Sequence, residues 1–321
     1  MRKRAVSGTP LELTEIGFGA ASIGNLYSAT SDEDADGAVR AAWESGIRYF
    51  DTAPHYGLGL SERRLGAALS GLPRDEYVIS TKVGRLIVPR EDPLEWDDDG
   101  FAVPGDLGRR WDFSREGILR SVEASLQRTG LDRFDILYLH DPDRSGIPDA
   151  ASTGARTLIE LRDQGVVAAV GIGSNDSRAV AQLFRTADID VAMLAGRCSL
   201  LDHAEYDDVR DAAGNRSIVA AGIFNSGLLS RPRPVPGATF DYAPVSEEML
   251  ARAVRLADLA ENHGATLPQA AIAYPLRTAG VANVTIGMRT QQHVRDNIDL
   301  YLAPPPSSLW DELFTEEGKT P

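Results

Sequence analysis

Four side chains in the first half of the chain have the types needed to move a proton to or from an oxygen: Asp51, Tyr56, Lys82 and His140. A phenol with a pKa near ~10 is a poor acid or base at neutral pH. A neighbouring ammonium favours the phenolate and lowers that value, while a carboxylate keeps the ammonium charged and oriented. A histidine reaching the same oxygen would complete a tuned relay. Taken singly, each residue has a plainer reading, since an Asp at a strand end is commonly a turn former or a helix cap. Jointly they are harder to dismiss, because a buried Lys or Asp without a partner is costly.

The flanking sequence places all four at one end of a set of strands. Residues 47–51 read Ile-Arg-Tyr-Phe-Asp, a short strand that Pro54 and Gly57 cannot continue, so Asp51 and Tyr56 leave one strand end together. Lys82 ends the next apolar strand, Val-Ile-Ser-Thr-Lys, and His140 ends the one after, Phe-Asp-Ile-Leu-Tyr-Leu-His. Residues 3–13 alternate around the turn signal Ser-Gly-Thr-Pro and predict a hairpin over one barrel end. A first buried strand begins at Ile16 and a helix at Ser31, followed by a helix from Ser61. Residues 84–112, rich in Pro, Gly and Asp, read as a long irregular loop carrying Trp96, Phe101 and Trp111, and a loop of that length is more often functional than ornamental. A helix follows at 114–129, stopped by Gly130, and strands and helices then alternate: strands at 135–140, 168–173, 190–194, 218–223 and 284–287, and helices at 154–164, from Ser177, at 247–263, from Leu267 and at 291–301. Eight strand-then-helix units with no linker predict an α/β fold, a single (β/α)8 TIM barrel domain over 1–321 with an N-terminal β-hairpin and long βα loops. In such a barrel the active site lies at the C-terminal strand ends, where Asp51, Lys82 and His140 fall. No G-x-G-x-x-G follows the first strand, so the usual dinucleotide fingerprint is missing.

The chain has 321 residues, 43% of them hydrophobic, which suffices for a sizeable core. A formal net charge of −14 without a basic patch argues against nucleic acid and against an anionic membrane surface. The basic start Met-Arg-Lys-Arg leads into no apolar run and does not read as a secretory signal. Cys198 is the one cysteine, which excludes an internal disulfide and suits a reducing cytoplasm. The five histidines, His55, His140, His203, His263 and His293, lack H-x-H or H-E-x-x-H spacing, so a metal-dependent hydrolase or lyase is disfavoured and no metal is expected.

Asp51, Tyr56, Lys82 and His140 match, in order and context, the tetrad of the aldo-keto reductase superfamily, and the resemblance covers nearly the whole chain. Within it, Asp-Thr-Ala-Pro-His-Tyr-Gly-Leu-Gly-Leu-Ser-Glu-Arg-Arg-Leu-Gly (51–66), Leu-His-Asp-Pro-Asp (139–143) and Phe-Asn-Ser-Gly-Leu-Leu (224–229) are most similar to the branch with aldose and L-fucose dehydrogenases and pyridoxal 4-dehydrogenase. The resemblance implies an NAD(P)-dependent oxidoreductase in which Tyr56 is the general acid/base, Lys82 and Asp51 set its pKa, and His140 orients the substrate oxygen. It implies further that Ser174 and Asn175 bind the nicotinamide carboxamide, whose plainer reading is a turn in which Ser or Asn caps the next helix. Phe224, Asn225, Ser226, Gly227 and Leu228 would wrap the pyrophosphate, Gly227 allowing close approach. Gly287, Arg289, Asp296 and Asn297 would form the adenosine site, with Arg289 available to a 2′-phosphate.

The sequence departs from that family in several places. Gly287-Met288 stands where Lys-Ser is common and His293 where an Arg often is, which favours NAD over NADP or dual use. Ala195 and Ala221 occupy places where many members carry Gln and a nicotinamide-stacking Tyr, so Phe224 is the candidate to pack against the ring. His55, Trp96, Trp111 and Asp141 are the candidate substrate contacts; aromatics in a long loop serve equally to pin the loop. The leading expectation is oxidation of an L-fucose-like aldose at C1 to the lactone. The alternatives are an NADPH-dependent aldehyde or ketone reductase, a pyridoxal 4-dehydrogenase, and a non-catalytic nucleotide-sensing subunit, which an intact tetrad argues against. A cytoplasmic monomer or homodimer acting on a small molecule is expected.

Overall fold

A computed structural model describes residues 1–235, 237–241 and 243–316; residues 317–321 of the expected domain lie outside the described residues. The chain opens with the antiparallel hairpin β1 (Lys3–Ala5) and β2 (Glu12–Thr14), followed by β3 (Ile16–Gly19), α1 (Asp32–Glu44), β4 (Tyr49–Asp51), α2 (Leu60–Leu69) and β5 (Val78–Val83). Next come β6 (Arg85–Trp96), β7 (Pro104–Trp111), α3 (Arg115–Thr129), β8 (Ile136–His140), α4 (Ala150–Asp163), β9 (Ala169–Ser174), α5 (Ser177–Thr186) and β10 (Val191–Ala195). The remainder is α6 (Tyr206–Ala213), β11 (Ser217–Ala221), β12 (Thr239–Phe240), β13 (Ala243–Pro244), α7 (Glu247–Asn262), α8 (Leu267–Arg277), β14 (Val281–Gly287), α9 (Gln291–Leu302) and α10 (Ser307–Glu316). Eight parallel strands close the barrel in the order β3, β4, β5, β8, β9, β10, β11, β14, the expected (β/α)8 architecture.

Local chemistry accounts for the helix limits. Ser31 caps α1 by accepting from the Asp34 amide, and Asp32, Glu33 and Asp34 complement the positive end of the helix dipole. Ser114 caps α3 through the Gly117 amide, and Gly130 ends that helix in the left-handed conformation. Four expectations need correction. The segment 84–112 is no irregular loop: β6 and β7 form a hairpin, with Pro89 next to a register shift where an interrupted ladder tolerates it. Asp176, rather than Ser174 or Asn175, caps α5 by accepting from the amides of Arg178 and Ala179. The fourth barrel helix starts at Ala150, a turn before Gly154, and α6 and α10 were not expected at all.

The period of two along each strand sorts the barrel interior from the helical ring. Phe50, Ile79, Leu137 and Leu139 point outward into the main apolar cluster between strands and helices. Tyr49, Ile136 and Tyr138 pack inside with Val6 and Leu13, through which the β1–β2 hairpin closes the N-terminal end. Gly17 makes room for this layer, since a Cβ there would stand 2.7 Å from Tyr49 Cδ1. The same alternation carries Asp51, Ser80, Lys82 and His140 to the interior at the other end.

Candidate active site

The register Asp51 to Ser80 and Lys82 to Tyr138 sets these strand ends side by side. Lys82 Nζ donates to Asp51 Oδ2 at 2.5 Å and to the Thr52 carbonyl at 3.1 Å, and it lies 4.7 Å from the centre of the Tyr56 ring. Burial works against the Lys82 charge, but Asp51 and Tyr56 outweigh it and raise the ammonium's pKa. Burial likewise pushes the Asp51 carboxyl up, opposed by Lys82 and by the Ser80 hydroxyl, which donates to Oδ1 at 2.6 Å. Tyr49 Oη is 2.9 Å from Ser80 Oγ and 3.3 Å from Tyr138 Oη, so a file of buried hydroxyls underlies the carboxylate.

Tyr56 sits on the turn after β4. Gly57, at φ 61°, lets that turn approach residue 24: a Cβ there would meet the Gly24 carbonyl oxygen at 2.2 Å. The Tyr56 ring stands edge-on to His140, with centres 5.7 Å apart. Burial first, then the charges of Arg85 and Lys82, hold His140 well below its ordinary pKa of 6.5, so its imidazole is neutral. Its Nδ1 is buried without a hydrogen-bond partner among the described residues. A neutral imidazole beside a phenol and an ammonium is equipped to orient an oxygen that gains or loses a proton.

The β6–β7 hairpin folds across this end, and sequence reasoning missed the charged residues it brings, Arg85, Arg109 and Asp97. Arg109 Nε donates to His55 Nδ1 at 2.7 Å, and Arg85 Nη1 lies 3.3 Å from the same ring. With Nδ1 accepting, His55 is neutral; burial, Arg85 and Arg109 press its pKa down to about 2. Asp97, whose side chain is fully buried, pairs with Arg109, and Asp141 pairs with Arg85. Phe101 packs against His55 and Tyr56, with ring centres 5.2 and 6.1 Å away. One available signal was Asp99-Gly100, a hairpin dipeptide between the apolar run 86–88 and Val103.

Of the candidate substrate residues, the structure brings His55 and Asp141 to the tetrad. Trp111 lies beneath the Arg85 guanidinium, 4.3 Å from its ring centre, and stacks on Phe113. Trp96 is 59% exposed at the outer end of β6.

The candidate cofactor residues occupy the rim formed by the other strand ends. Ser174 ends β9 and donates to Asp143 at 2.7 Å, with Asn175 next in the turn. Ala195 and Ala221 are register partners at the ends of β10 and β11. Phe224 is half-buried between the two largest apolar clusters. Asn225 and Ser226 have φ of 45° and 58°, and Gly227 has 94°, a tight turn in which the amides of Asn225, Gly227 and Leu228 donate to nearby carbonyls. Thr239 Oγ1 donates to the Ser226 carbonyl at 3.0 Å, tying the turn to the β12–β13 hairpin. Asn225 Oδ1 is buried and lacks a partner among the described residues, an acceptor that fits a ligand bearing amide or hydroxyl donors. Gly287 ends β14. Arg289 donates to the Leu26 carbonyl at 2.8 Å and to Ser28. On α9, Asp296 accepts from Gln292 and Asn297 donates to the His293 carbonyl. Cys198 is buried, which pushes its thiol pKa up.

Comparison with known proteins agrees with the barrel fold and shows its family. The pattern of the aldo/keto reductase family matches residues 15–313. A D-threo-aldose 1-dehydrogenase from a Pseudomonas species is 44% identical over 315 residues, 96% of this chain and 95% of its own. A pyridoxal 4-dehydrogenase from Microbacterium luteolum is 37% identical, covering 98% of this chain and 97% of its own. The solved holo form of an aldo-keto reductase, AKR11C1 from Bacillus halodurans, superposes with a TM-score of 0.74 at 26% identity, covering 98% of this chain and 96% of its own. The chain belongs to the aldo/keto reductase family and is an NAD(P)-dependent oxidoreductase.

Proposed function

We propose that the chain oxidises a free aldose at C1, in its ring form, to the lactone, with NAD preferred over NADP. The observation that carries the chemistry is the Asp51–Lys82 pair beside Tyr56, with a neutral His140 edge-on to the same ring. Tyr56 takes the proton from the C1 hydroxyl, and the Lys82 ammonium stabilises its phenolate. Asp51 holds Lys82 charged, and His140 hydrogen-bonds the reacting oxygen and fixes its direction. A bound nicotinamide supplies the acceptor for the hydride that leaves C1. In reduction the same groups work in reverse, and Tyr56 gives the proton to a carbonyl oxygen.

Ser174 and Asn175 would hold the carboxamide, residues 224–228 the pyrophosphate, and Gly287, Arg289, Asp296 and Asn297 the adenosine end. The NAD preference rests on Arg289: a guanidinium already donating to Leu26 and Ser28 has fewer donors left for a 2′-phosphate. The aldose reading is supported by the name of the Pseudomonas relative and by the polar walls that His55, Asp141 and the hairpin arginines give the site. His55 and Asp141 are the favoured substrate contacts, ahead of Trp111 and Trp96.

Nicotinamide absorbance with NAD+ or NADP+ and a panel of free aldoses plus pyridoxal tests this directly. Rapid NADH formation with one aldose is the expected result. Turnover only of simple aldehydes with NADPH would contradict it and favour the reductase alternative.

A further inference from the structure

Each tetrad member at a strand end stands on a hydroxyl two residues earlier: Asp51 on Tyr49, Lys82 on Ser80 and His140 on Tyr138. A period of two turns these side chains to the barrel interior, so the hydroxyls form the layer directly beneath the reacting groups. Tyr49, Ser80 and Tyr138 have no exposed surface. Any part they take in the chemistry has to pass through a neighbour.

That neighbour is Asp51. Its Oδ2 receives the Lys82 ammonium at 2.5 Å and its Oδ1 the Ser80 hydroxyl at 2.6 Å, so each carboxylate oxygen has a donor. Ser80 has a single proton and spends it there. Its oxygen can then only accept, from Tyr49 Oη at 2.9 Å, and Tyr49 in turn accepts from Tyr138 Oη at 3.3 Å, the weaker link. The O–H dipoles all point toward the carboxylate, and each polarises the next. Such a file does for a buried anion what water does at the surface, because it satisfies the oxygen that the ammonium leaves open.

We infer that Ser80 is a positioning residue for proton transfer at Tyr56, with Tyr49 and Tyr138 acting through it: the oriented hydroxyls hold Asp51 ionised and leave Oδ2 to Lys82, which stays fixed against the phenol. The inference rests on the proposed role of the tetrad. If Asp51 took up a proton, Lys82 would keep the Thr52 carbonyl at 3.1 Å and lose its counter-charge. Burial pushes the Asp51 carboxyl up, and Lys82 and Ser80 oppose it. Removing the Ser80 hydroxyl leaves Lys82 alone in opposition, so the carboxylate is lost earlier as the pH falls. The other titratable groups facing this layer are Tyr56, on the turn after β4, and His140 on β8, and the substitution leaves both in place. From β3, Asp51 meets Gly19, which has no side chain.

The test compares the wild type with Ser80→Ala, Tyr49→Phe and Tyr138→Phe in two readouts. One is the pH profile of kcat, with NAD+ and L-fucose, or with NADH and glyceraldehyde if no aldose is oxidised. The other needs no substrate: the carboxyl carbon resonance of Asp51 is followed against pH in protein labelled at aspartate, and is assigned by its absence in Asp51→Asn. In Ser80→Ala the Asp51 midpoint rises by about one pH unit or more, and the acid limb of kcat moves up with it. The loss of rate is therefore largest at low pH and shrinks as the pH rises. Tyr49→Phe gives a smaller shift of the same sign and Tyr138→Phe the smallest. Both keep their rings, so they carry the test if Ser80→Ala does not fold. A midpoint that stays put in Ser80→Ala and Tyr49→Phe, or a fall in kcat that is equal at every pH, would overturn the inference. A midpoint that moves without the acid limb refutes the proposed role of the tetrad, and the positioning role of Ser80 falls with it.

Discussion

Lys82 and Asp51 make a two-way commitment, since each is fully buried and each is tolerable only because the other is there. Replacing Lys82 by Met removes the charge next to Tyr56 and strands the Asp51 carboxylate with the Ser80 hydroxyl as its remaining hydrogen-bond donor among the described residues. We expect this variant to lose activity and to be destabilised by about 3–5 kcal/mol, read as a lower urea midpoint. An unchanged midpoint would mean that Asp51 is not ionised in the folded chain. The clustering of these four residues was legible in the sequence because three of them lie at the ends of strands that neighbour one another in the barrel, and a period of two fixes which side they face. The roles of Arg85 and Arg109 were not, because they depend on partners such as Asp141 and His55 that are 56 and 54 residues away.

At the scale of elements, the β6–β7 hairpin separates this barrel from a bare one. Its sequence carries Pro89, Pro93, Gly100, Gly105 and six acids from 91 to 99, which resembles a loop when read locally. What orders it is tertiary: the buried Arg109–Asp97 pair, and Phe101, Val103 and Leu107 packed with Leu58 and Tyr56. Asp97→Asn weakens that pair and frees the guanidinium that positions His55. Limited proteolysis should then cut within 85–111 faster than in the wild type, with the barrel's circular dichroism unchanged and kcat/KM lowered. Equal protection in the two proteins would show that apolar packing alone secures the hairpin. The barrel itself was readable from strand-helix alternation and caps such as Ser31 and Ser114. Helix α6 was hidden in a run of acids, Asp207, Asp208 and Asp211, with only Tyr206, Val209 and Ala213 buried.

At the scale of the whole molecule, two imidazoles are buried in uncharged form, and this couples folding to pH. His55 has its pKa lowered from 6.5 to about 2, and His140 is lowered well below 6.5. Below pH 6.5 the unfolded chain therefore binds more protons than the folded one at these positions. Their contribution to stability is fully present above that value and is lost as the pH falls toward the folded values, by about 1.4 kcal/mol per pH unit for each imidazole. Urea unfolding at a series of pH values should show this decline beginning near 6.5, reduced in His55→Gln. A decline confined to the carboxylate range would contradict it. Among the described residues no helix is long and apolar enough to cross a membrane.

The central claim is that Tyr56 exchanges a proton with the substrate oxygen and does not hold the cofactor. The measurement that tests it most directly pairs two readouts on Tyr56→Phe: NAD+ reduction by the best aldose, and cofactor binding by quenching of protein fluorescence. Turnover lowered at least about a hundredfold, with cofactor affinity unchanged, is the predicted result. Turnover close to that of the wild type, or loss of cofactor binding, would contradict it.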